Sequence, residues 1–591
     1  MARLPFVRRI ALLAAFASCA AGAADDAKVL RLALLHEEST FDPAMVSEVY
    51  SLAIVTAIME PLLAYDYLAR PAKLVPLTAA GLPELSDDGR TYTFRLKPGL
   101  RYADDPAFQG VPRELTAGDY AYAIKRLVDP ALRSPNAFQV AGKIVGLDAA
   151  AEAAARPNAR FDYDAPIAGL EVVDPLTLRI RLTRSDRNFA YVMAAPALSA
   201  VAREAVIFYG GAIGAHPIGT GPYRVKSWLR ASRITLEANP AFRHVVWDLE
   251  PGADSRDREI ARTMRGKRLP AIGTLEFIVL EEAQARLLAF EGGEIDIGDI
   301  PAVLAPRALR GEKLAPDLAA RGVQLSRLLE QNITYTAFNM RDPVVGGFAR
   351  HRIALRRAIA MAYSNEVEIA VARNRQAVPL EMPIPPGVPG HSAAFRSLVR
   401  HDSALANKLL DETGYRRGSG GWRSQPDGRP LVLRYATQRT TDGRANAELW
   451  KRAFDAIGIR IAIEEGTYAD QIKAATQCRH QLWSYGWAAD YPDGDNFMQL
   501  LYGPNIHQTN VACYASEKYD ALYRESQRLP DSAARTALYE RMTRQADGDA
   551  PWRLHVTPYR NVIAQPWVVG HKPHPLPVGE FLYVDVDRRT R

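Results

Sequence analysis

Apolar and polar positions alternate with period two over residues 29–35 and 91–96, and bulky and small residues alternate over 482–487, the signature of strands with one buried face. Residues 275–280, 334–338, 431–436 and 459–463 are further strand-like runs, and helical spacing falls between them at 50–59, 283–290, 355–363 and 444–457. Thr116 heads another helix, which carries Tyr122, Ile124 and Leu127 and stops at Asp129-Pro130. Residues 169–173 and 177–182 flank Asp174-Pro175 and predict a hairpin, and Gly292-Gly293 ends the helix at 283–290. The Ala-rich run 148–160 lacks an apolar stripe and predicts an exposed helix or insertion, and the Pro-rich run 379–389 predicts a linker or surface loop. Strand, helix and strand in succession over 275–297 read as an α/β unit. The coarse result is a pair of α/β lobes, with a small α+β unit set into one of them over 66–189.

Composition changes this picture little, since 48% hydrophobic and 24% charged residues is ordinary for a globular protein. A chain of 591 residues is long enough for several cores. The N-terminus changes it more. Arg3, Arg8 and Arg9 precede an apolar run over 10–16, and Ala21-Gly22-Ala23 supplies small residues for a peptidase, so residues 1–23 read as an export signal. Phe16-Ala17-Ser18-Cys19 approximates a lipidation motif with Phe in place of Leu, and cleavage after Ala23 is the preferred reading. No later run reaches the ~18 apolar residues of a membrane span. A periplasmic product with two cysteines, Cys478 and Cys513, is expected, and these either pair in that oxidising compartment or stand apart as buried residues.

A formal charge of +7 spread over the chain gives no nucleic-acid surface. The densest basic run, 256–268, contains Asp257 and Glu259 and lacks aromatic residues, as a solvated loop and helix would. Gly219-Thr220-Gly221-Pro222 lacks the Lys-Ser or Lys-Thr of a phosphate loop and reads as a tight turn into a strand that pairs with 232–238. A secreted hydrolase is the rival class. His36-Glu37-Glu38 lacks the second His of a zinc protease motif, and Gly418-Ser419-Gly420 lacks the spacing of a nucleophile elbow. His480, His507 and His555 read as surface or core residues rather than ligands.

The chemistry concentrates at 482–502. A strand bearing Tyr485 and Trp487 breaks at Asp490, Tyr491, Pro492, Asp493 and Gly494, so it ends on a carboxylate. An acid just past an aromatic strand end can meet a cation at the rim of a cleft, with flat apolar walls beside it; a solvated Asp-rich turn is the plainer alternative.

Residues 85–96 with Gly99, 116–130, 218–225, the stretch from Asn339, and 486–497 resemble, in the same order, the signatures of the family-5 extracellular solute-binding proteins. These serve oligopeptide and dipeptide ABC importers, and the resemblance runs from about 29 to about 570. It implies a type II, two-lobed α/β clamp that shuts like a flytrap, with an inserted α+β domain. The first lobe would be discontinuous (24–65, 190–298 and 553–591), the insert 66–189 and the second lobe 299–552.

In the family's dipeptide binders the Asp of Gly-Trp-x-x-Asp holds the ligand ammonium, and Gly486-Trp487-Ala488-Ala489-Asp490 matches it. The family's carboxylate-binding Arg corresponds to Arg439, 51 positions upstream (490 − 439). A zwitterion needs opposite charges at opposite ends of one slot, and a guanidinium grips a carboxylate in two parallel hydrogen bonds. An extended peptide would pair with Ser47, Glu48 and Tyr50 on one side and with Ser484 to Ala488 on the other. The acids Asp493 and Asp495 beside Asp490 depart from the pattern and would suit a more cationic ligand, and Thr440-Thr441-Asp442 departs from it too. Family members also carry nickel complexes, haem, sugars and cell-wall peptides, so a non-peptide cargo is the alternative within the fold. The implied partners are a peptide or other small solute and an ABC permease, with no cofactor and a monomeric state.

Overall fold

A computed structural model describes residues 24–589 apart from 47, 577 and 578. The expected export signal and Ser47 lie outside the described residues. Among those described, no helix is long and apolar enough to cross a membrane.

Two mixed sheets and one antiparallel sheet carry the architecture. The first is built on Asp25–Leu34, which runs parallel to Ile272–Val279 with Leu30 opposite Leu275 and Leu32 opposite Phe277. Its order is 324–329, 556–564, 297–299, 25–34, 272–279, 233–238, 223–229, and Ala377–Pro379 adds to 556–564. Leu30, Leu275 and Leu236 are fully buried beneath Ile54 and Val55 of the helix Val49–Ile58. That helix is held because eight of its ten residues are apolar, and burying each large one contributes roughly 1.5–3 kcal/mol.

The second sheet runs 460–466, 432–438, 482–488, 332–338, 552–554. Alternate residues feed two cores. Leu433, Tyr435 and Leu482 pack with Trp450 and Ile359 on one face. Tyr335, Ala436 and Trp483 pack with Phe497 and Tyr539 on the other. One face is covered by helices Arg350–Ala362 and Thr441–Ala456, the other by Glu517–Ser526 and Ala533–Asp549.

The third sheet, 84–85, 91–95, 177–181 and 170–174, is antiparallel. It lays Tyr92, Phe94, Leu178 and Ile180 against the helix Ala117–Val128, whose Asp119 accepts a hydrogen bond from the Thr116 backbone N–H at 2.8 Å. Its core continues past 66–189 into Leu62, Leu63, Met193 and Leu198. A buried bidentate pair, Arg126 with Asp42 at 2.7 Å for both bonds, ties this unit to the segment after the first strand.

The strand Gln324–Leu329 lies past residue 298 yet pairs with Val556–Ala564 in the first sheet. All six of its residues are half-buried, so no alternation marks it in the sequence. The chain therefore crosses between the large sheets at 330–331 and again at 555. The crossings are neighbours: the His555 N–H donates to the Thr334 carbonyl at 2.8 Å, and the Glu330 N–H to the Pro558 carbonyl at 3.0 Å. Cys478 and Cys513 form a disulfide, with Cα atoms 6.1 Å apart, between the second residue past the helix Tyr468–Thr476 and a buried loop.

Candidate functional site

The strand Leu482–Ala488 pairs along its whole length with Asn332–Phe338 on one side. On the other side it pairs with Val432–Gln438 only through Leu482 and Trp483. Beyond Trp483 the two strands part, and among the described residues no strand occupies that edge of 484–488. A strand edge left open inside a protein presents a row of backbone donors and acceptors to an extended chain.

Aromatic rings stand along this edge. Tyr485 stacks on Trp483 with centroids 4.7 Å apart and meets Tyr335 edge-on at 6.1 Å. Trp487 is fixed by its indole N–H, which donates to Asn496 Oδ1 at 2.9 Å. Ala488, at the strand end, is exposed.

The turn that follows is built around Asn496, which is fully buried. Its Oδ1 also accepts the Asp490 N–H at 3.1 Å, and its amide donates to Asp490 Oδ2 at 2.9 Å. One side chain thus sets Trp487 and Asp490 in fixed relation. Asp490 is open to solvent at the wall of a cavity of about 460 Å³, which lies between this turn and the inserted unit. Protein crowds the carboxylate closely enough that desolvation pushes its pKa up, opposed by the Asn496 hydrogen bond and by the charge of Lys143.

The inserted unit supplies Lys143 and Asp186 to the same cavity, and Tyr191 just beyond it joins them. Tyr191 stacks on Tyr491 with the rings 7° from parallel and 6.0 Å apart, joining the two walls. Asp186 has Lys143 Nζ at 3.9 Å. Burial pushes the Asp186 carboxyl up, Lys143 lowers it and Asp495 raises it further.

The expected residues distribute unevenly. Tyr485, Trp487, Ala488 and Asp490 come together on one strand and turn. Arg439 does not join them at the cavity: its guanidinium is exposed and, among the described residues, has no acid within ion-pair distance. Its N–H donates to the Gly466 carbonyl at 3.3 Å, which holds the backbone at the end of the neighbouring strand. Glu48 is engaged locally, accepting from Ser39 Oγ at 3.1 Å and from Ser51 Oγ. Tyr50 meets His36 edge-on at 5.3 Å, and burial pushes its phenol up against the lowering effect of Arg286. Ser47 is outside the described residues.

Asp493 corrects the expectation of a free acid for the ligand. It is buried and paired with Arg535 Nη2 at 2.6 Å, and it accepts the Asp495 N–H at 2.9 Å. An acid in a Gly-Pro turn looks solvated in sequence, and its partner stands 42 residues further on, so no local signal marked it. Asp186 and Lys143 were likewise missed, because they reach the site from another unit. Asn496 lies only six residues from Asp490, and an amide within an acidic turn was the one available hint.

The histidines hold to surface and core positions. His507 is exposed. His555 is buried between Glu368, 2.8 Å from Nδ1, and Thr336 Oγ1, 2.8 Å from Nε2. Thr336 has no solvent exposure, so this relay offers no nucleophile to a substrate. Among the described residues no group of three His, Cys, Asp or Glu could hold a metal ion.

Two lobes on separate sheets, joined by adjacent crossings and walled in part by an inserted unit, define a two-lobed α/β ligand clamp of the periplasmic type. The chain belongs to the bacterial extracellular solute-binding proteins of family 5, whose model for the middle portion matches residues 73–508. It is 23% identical over 551 residues to a glutathione-binding protein, GsiB, of Salmonella paratyphi A, covering 92% of this chain and 91% of that one. It is 27% identical over 611 aligned positions to di/tripeptide-binding protein 4 of Pseudomonas aeruginosa, covering 98% and 99%. Its fold is similar to that of the periplasmic binding protein DppA of Helicobacter pylori in complex with the peptide STSA, with TM-score 0.73, 21% identity and coverage of 95% and 98%. The murein tripeptide binding protein MppA of Escherichia coli matches with TM-score 0.70, 19% identity and the same coverage.

Proposed function

We propose that the protein captures short peptides in the periplasm and delivers them to the membrane permease of an ABC importer. The observation that carries this reading is the open backbone edge of 484–488 leading to Asp490. An extended peptide pairs with that edge through its main chain, whatever its sequence, and its terminal ammonium reaches the carboxylate. The relatives named for glutathione and di/tripeptides fit a guest of that kind.

Arg439 fits the other end of the slot. In this reading Arg439, just past the end of the strand Val432–Gln438 that parts from 484–488, takes the ligand carboxylate. Its guanidinium, with no acid within ion-pair distance among the described residues, is available to a carboxylate. The crossings at 330–331 and 555 are the points about which lobes 24–65, 190–298 and 553–591 and lobe 299–552, with 324–329 moving with the first, would close. The chain acts as a binding protein and not as an enzyme, and as a monomer.

Calorimetric titration with trialanine tests the reading. Asp490→Ala should weaken binding by about 2–5 kcal/mol, some thirtyfold or more, because the ammonium is then buried without its counter-charge. Equal affinities for wild type and variant overturn the assignment.

A further inference from the structure

The open edge begins at a fork between two strands, and a buried histidine stands behind that fork. The strands Val432–Gln438 and Leu482–Ala488 are level at Tyr435 with Leu482 and at Ala436 with Trp483, and then part. Ser484, half-buried, is the first residue past the last pair. The Tyr435 hydroxyl donates to its Oγ at 2.7 Å, and Thr336 Oγ1, directly opposite on the strand Asn332–Phe338, lies 2.6 Å away. One hydroxyl therefore ties the start of the open edge to the strand on each side of it.

The direction of these bonds is set from the far end. Glu368 is buried, and its carboxyl takes the Tyr363 hydroxyl at 3.0 Å, Arg373 Nε at 3.1 Å and His555 Nδ1 at 2.8 Å. Burial raises its pKa, but the His555 and Arg373 contacts outweigh that and leave it ionised. A carboxylate only accepts, so Nδ1 carries the proton. Burial also holds the His555 ring below its ordinary pKa despite Glu368, so the ring is neutral near pH 7 and Nε2 is bare. Thr336 then donates to Nε2 at 2.8 Å, Ser484 donates to Thr336, and Tyr435 donates to Ser484. Every proton points inward. Were Nε2 the protonated nitrogen, Thr336 would donate to a Ser484 already receiving Tyr435, and the Ser484 proton would have no acceptor in the relay.

We propose that His555 is a positioning residue for peptide binding: as the Nδ1–H tautomer it takes the Thr336 hydroxyl, which keeps Ser484 turned inward and the open edge in place from its first residue. The inference rests on the peptide reading, in which that edge pairs with the main chain of the guest.

Titration calorimetry of the mature chain with trialanine separates this role from support of the fold. Asparagine puts an amide where Nδ1 stands, and glutamine puts a carbonyl where Nε2 stands. His555→Asn thus keeps a donor for Glu368 and cuts the relay, whereas His555→Gln keeps an acceptor for Thr336. His555→Asn, Thr336→Val and Ser484→Ala should each weaken trialanine about threefold to tenfold, the worth of one hydrogen bond. His555→Gln and Thr336→Ser should stay within about twofold of wild type, and Thr336→Val added to Ser484→Ala should cost nothing further. A histidine that served only as the partner of Glu368 would give the reverse order, with His555→Gln the weaker binder. That order overturns the proposal, as do full affinity in Thr336→Val and additive losses in the pair. Should Thr336→Val not fold, Ser484→Ala and the two His555 variants decide it. Amide exchange over 484–488 needs no guest, and it should rise about tenfold in Thr336→Val and not in Thr336→Ser. A wild type that binds no trialanine overturns the peptide reading; faster exchange in Thr336→Val then keeps His555 as the group that positions this edge, and unchanged exchange overturns both.

Discussion

Arg535→Met tests whether the site's turn is held from behind. Arg535 Nη2 lies 2.6 Å from Asp493 Oδ2, with side chains about 3% and 2% exposed. Without the guanidinium, Asp493 keeps the Tyr539 hydroxyl at 3.3 Å and the Asp495 N–H at 2.9 Å, and it stays close to the Asp495 charge. Removing one partner of a buried pair costs about 3–5 kcal/mol, since the remaining ion has lost its compensation. Burial already pushes the Asp493 pKa up to about 6 against the opposing Arg535, from an ordinary 3.8, a difference worth up to ~3 kcal/mol. A carboxyl raised in the folded state gives its stability below the unfolded value, and that stability is lost as pH rises through about 6. Loss of Arg535 raises the folded value further, so the variant's deficit should be larger at pH 8 than at pH 5. Urea unfolding followed by tryptophan fluorescence at both pH values, with amide exchange in the helix Ala533–Asp549, measures it for wild type, Arg535→Met, Asp493→Asn and the double variant. A loss under ~1 kcal/mol at pH 8 would refute the reasoning, since a cost that small belongs to exposed pairs. So would a loss equally large when Asp493 is already Asn.

Two further effects follow from the same kind of argument. Cys478→Ser with Cys513→Ser opens a link between residues 35 apart, for which chain entropy sets a ceiling of about 4 kcal/mol. Relaxation of the left-handed backbone at the two positions, φ 56° and 51°, reduces this, so urea unfolding should show a loss of ~2–4 kcal/mol, and no loss would contradict it. His571 and His574 are buried and held to pKa values of about 3, by burial first and then by Arg256 beside one and Arg70 beside the other. Unfolded histidines bind protons below about 6.5, so stability should fall as pH drops from there toward 3, by up to ~5 kcal/mol per site. His571→Gln should flatten that acid limb in a pH series of unfolding curves, and an unchanged slope would refute the assignment.

Much of the fold could be read from the chain because its strands have one wet face or a clear turn at the end. The alternations at 29–35 and 91–96 became strands with Leu30 and Tyr92 inward, and Asp174-Pro175 did turn a hairpin. The strand Gln324–Leu329 was invisible because all its residues sit half-buried at a sheet edge. In the site, Tyr485, Trp487 and Asp490 were legible as an aromatic strand ending on an acid. What could not be read was pairing at a distance: Asp493 with Arg535, and Asp186 with the turn it faces. Local pattern reports which face of an element is buried, whereas such pairs depend on how elements dock.

That division matters for how the clamp works. The turn after Ala488 is anchored by buried groups: Asn496 fixes Trp487 and Asp490, and Arg535 fixes Asp493. Behind the strand, Ser484 Oγ meets Thr336 Oγ1 at 2.6 Å and the Tyr435 hydroxyl at 2.7 Å, and Thr336 connects through His555 to Glu368. Every link in this chain is a buried or half-buried hydrogen bond, so bending the strand would leave polar groups without partners. On the proposed reading the surface is therefore set before a peptide arrives, and little ordering entropy would remain to be lost on binding. His555 sits on the second crossing itself, so the network runs through the point where the chain passes between the sheets. On the proposed reading, a rigid strand and turn beside a short two-strand passage leave rotation of whole lobes about that passage as the closing motion.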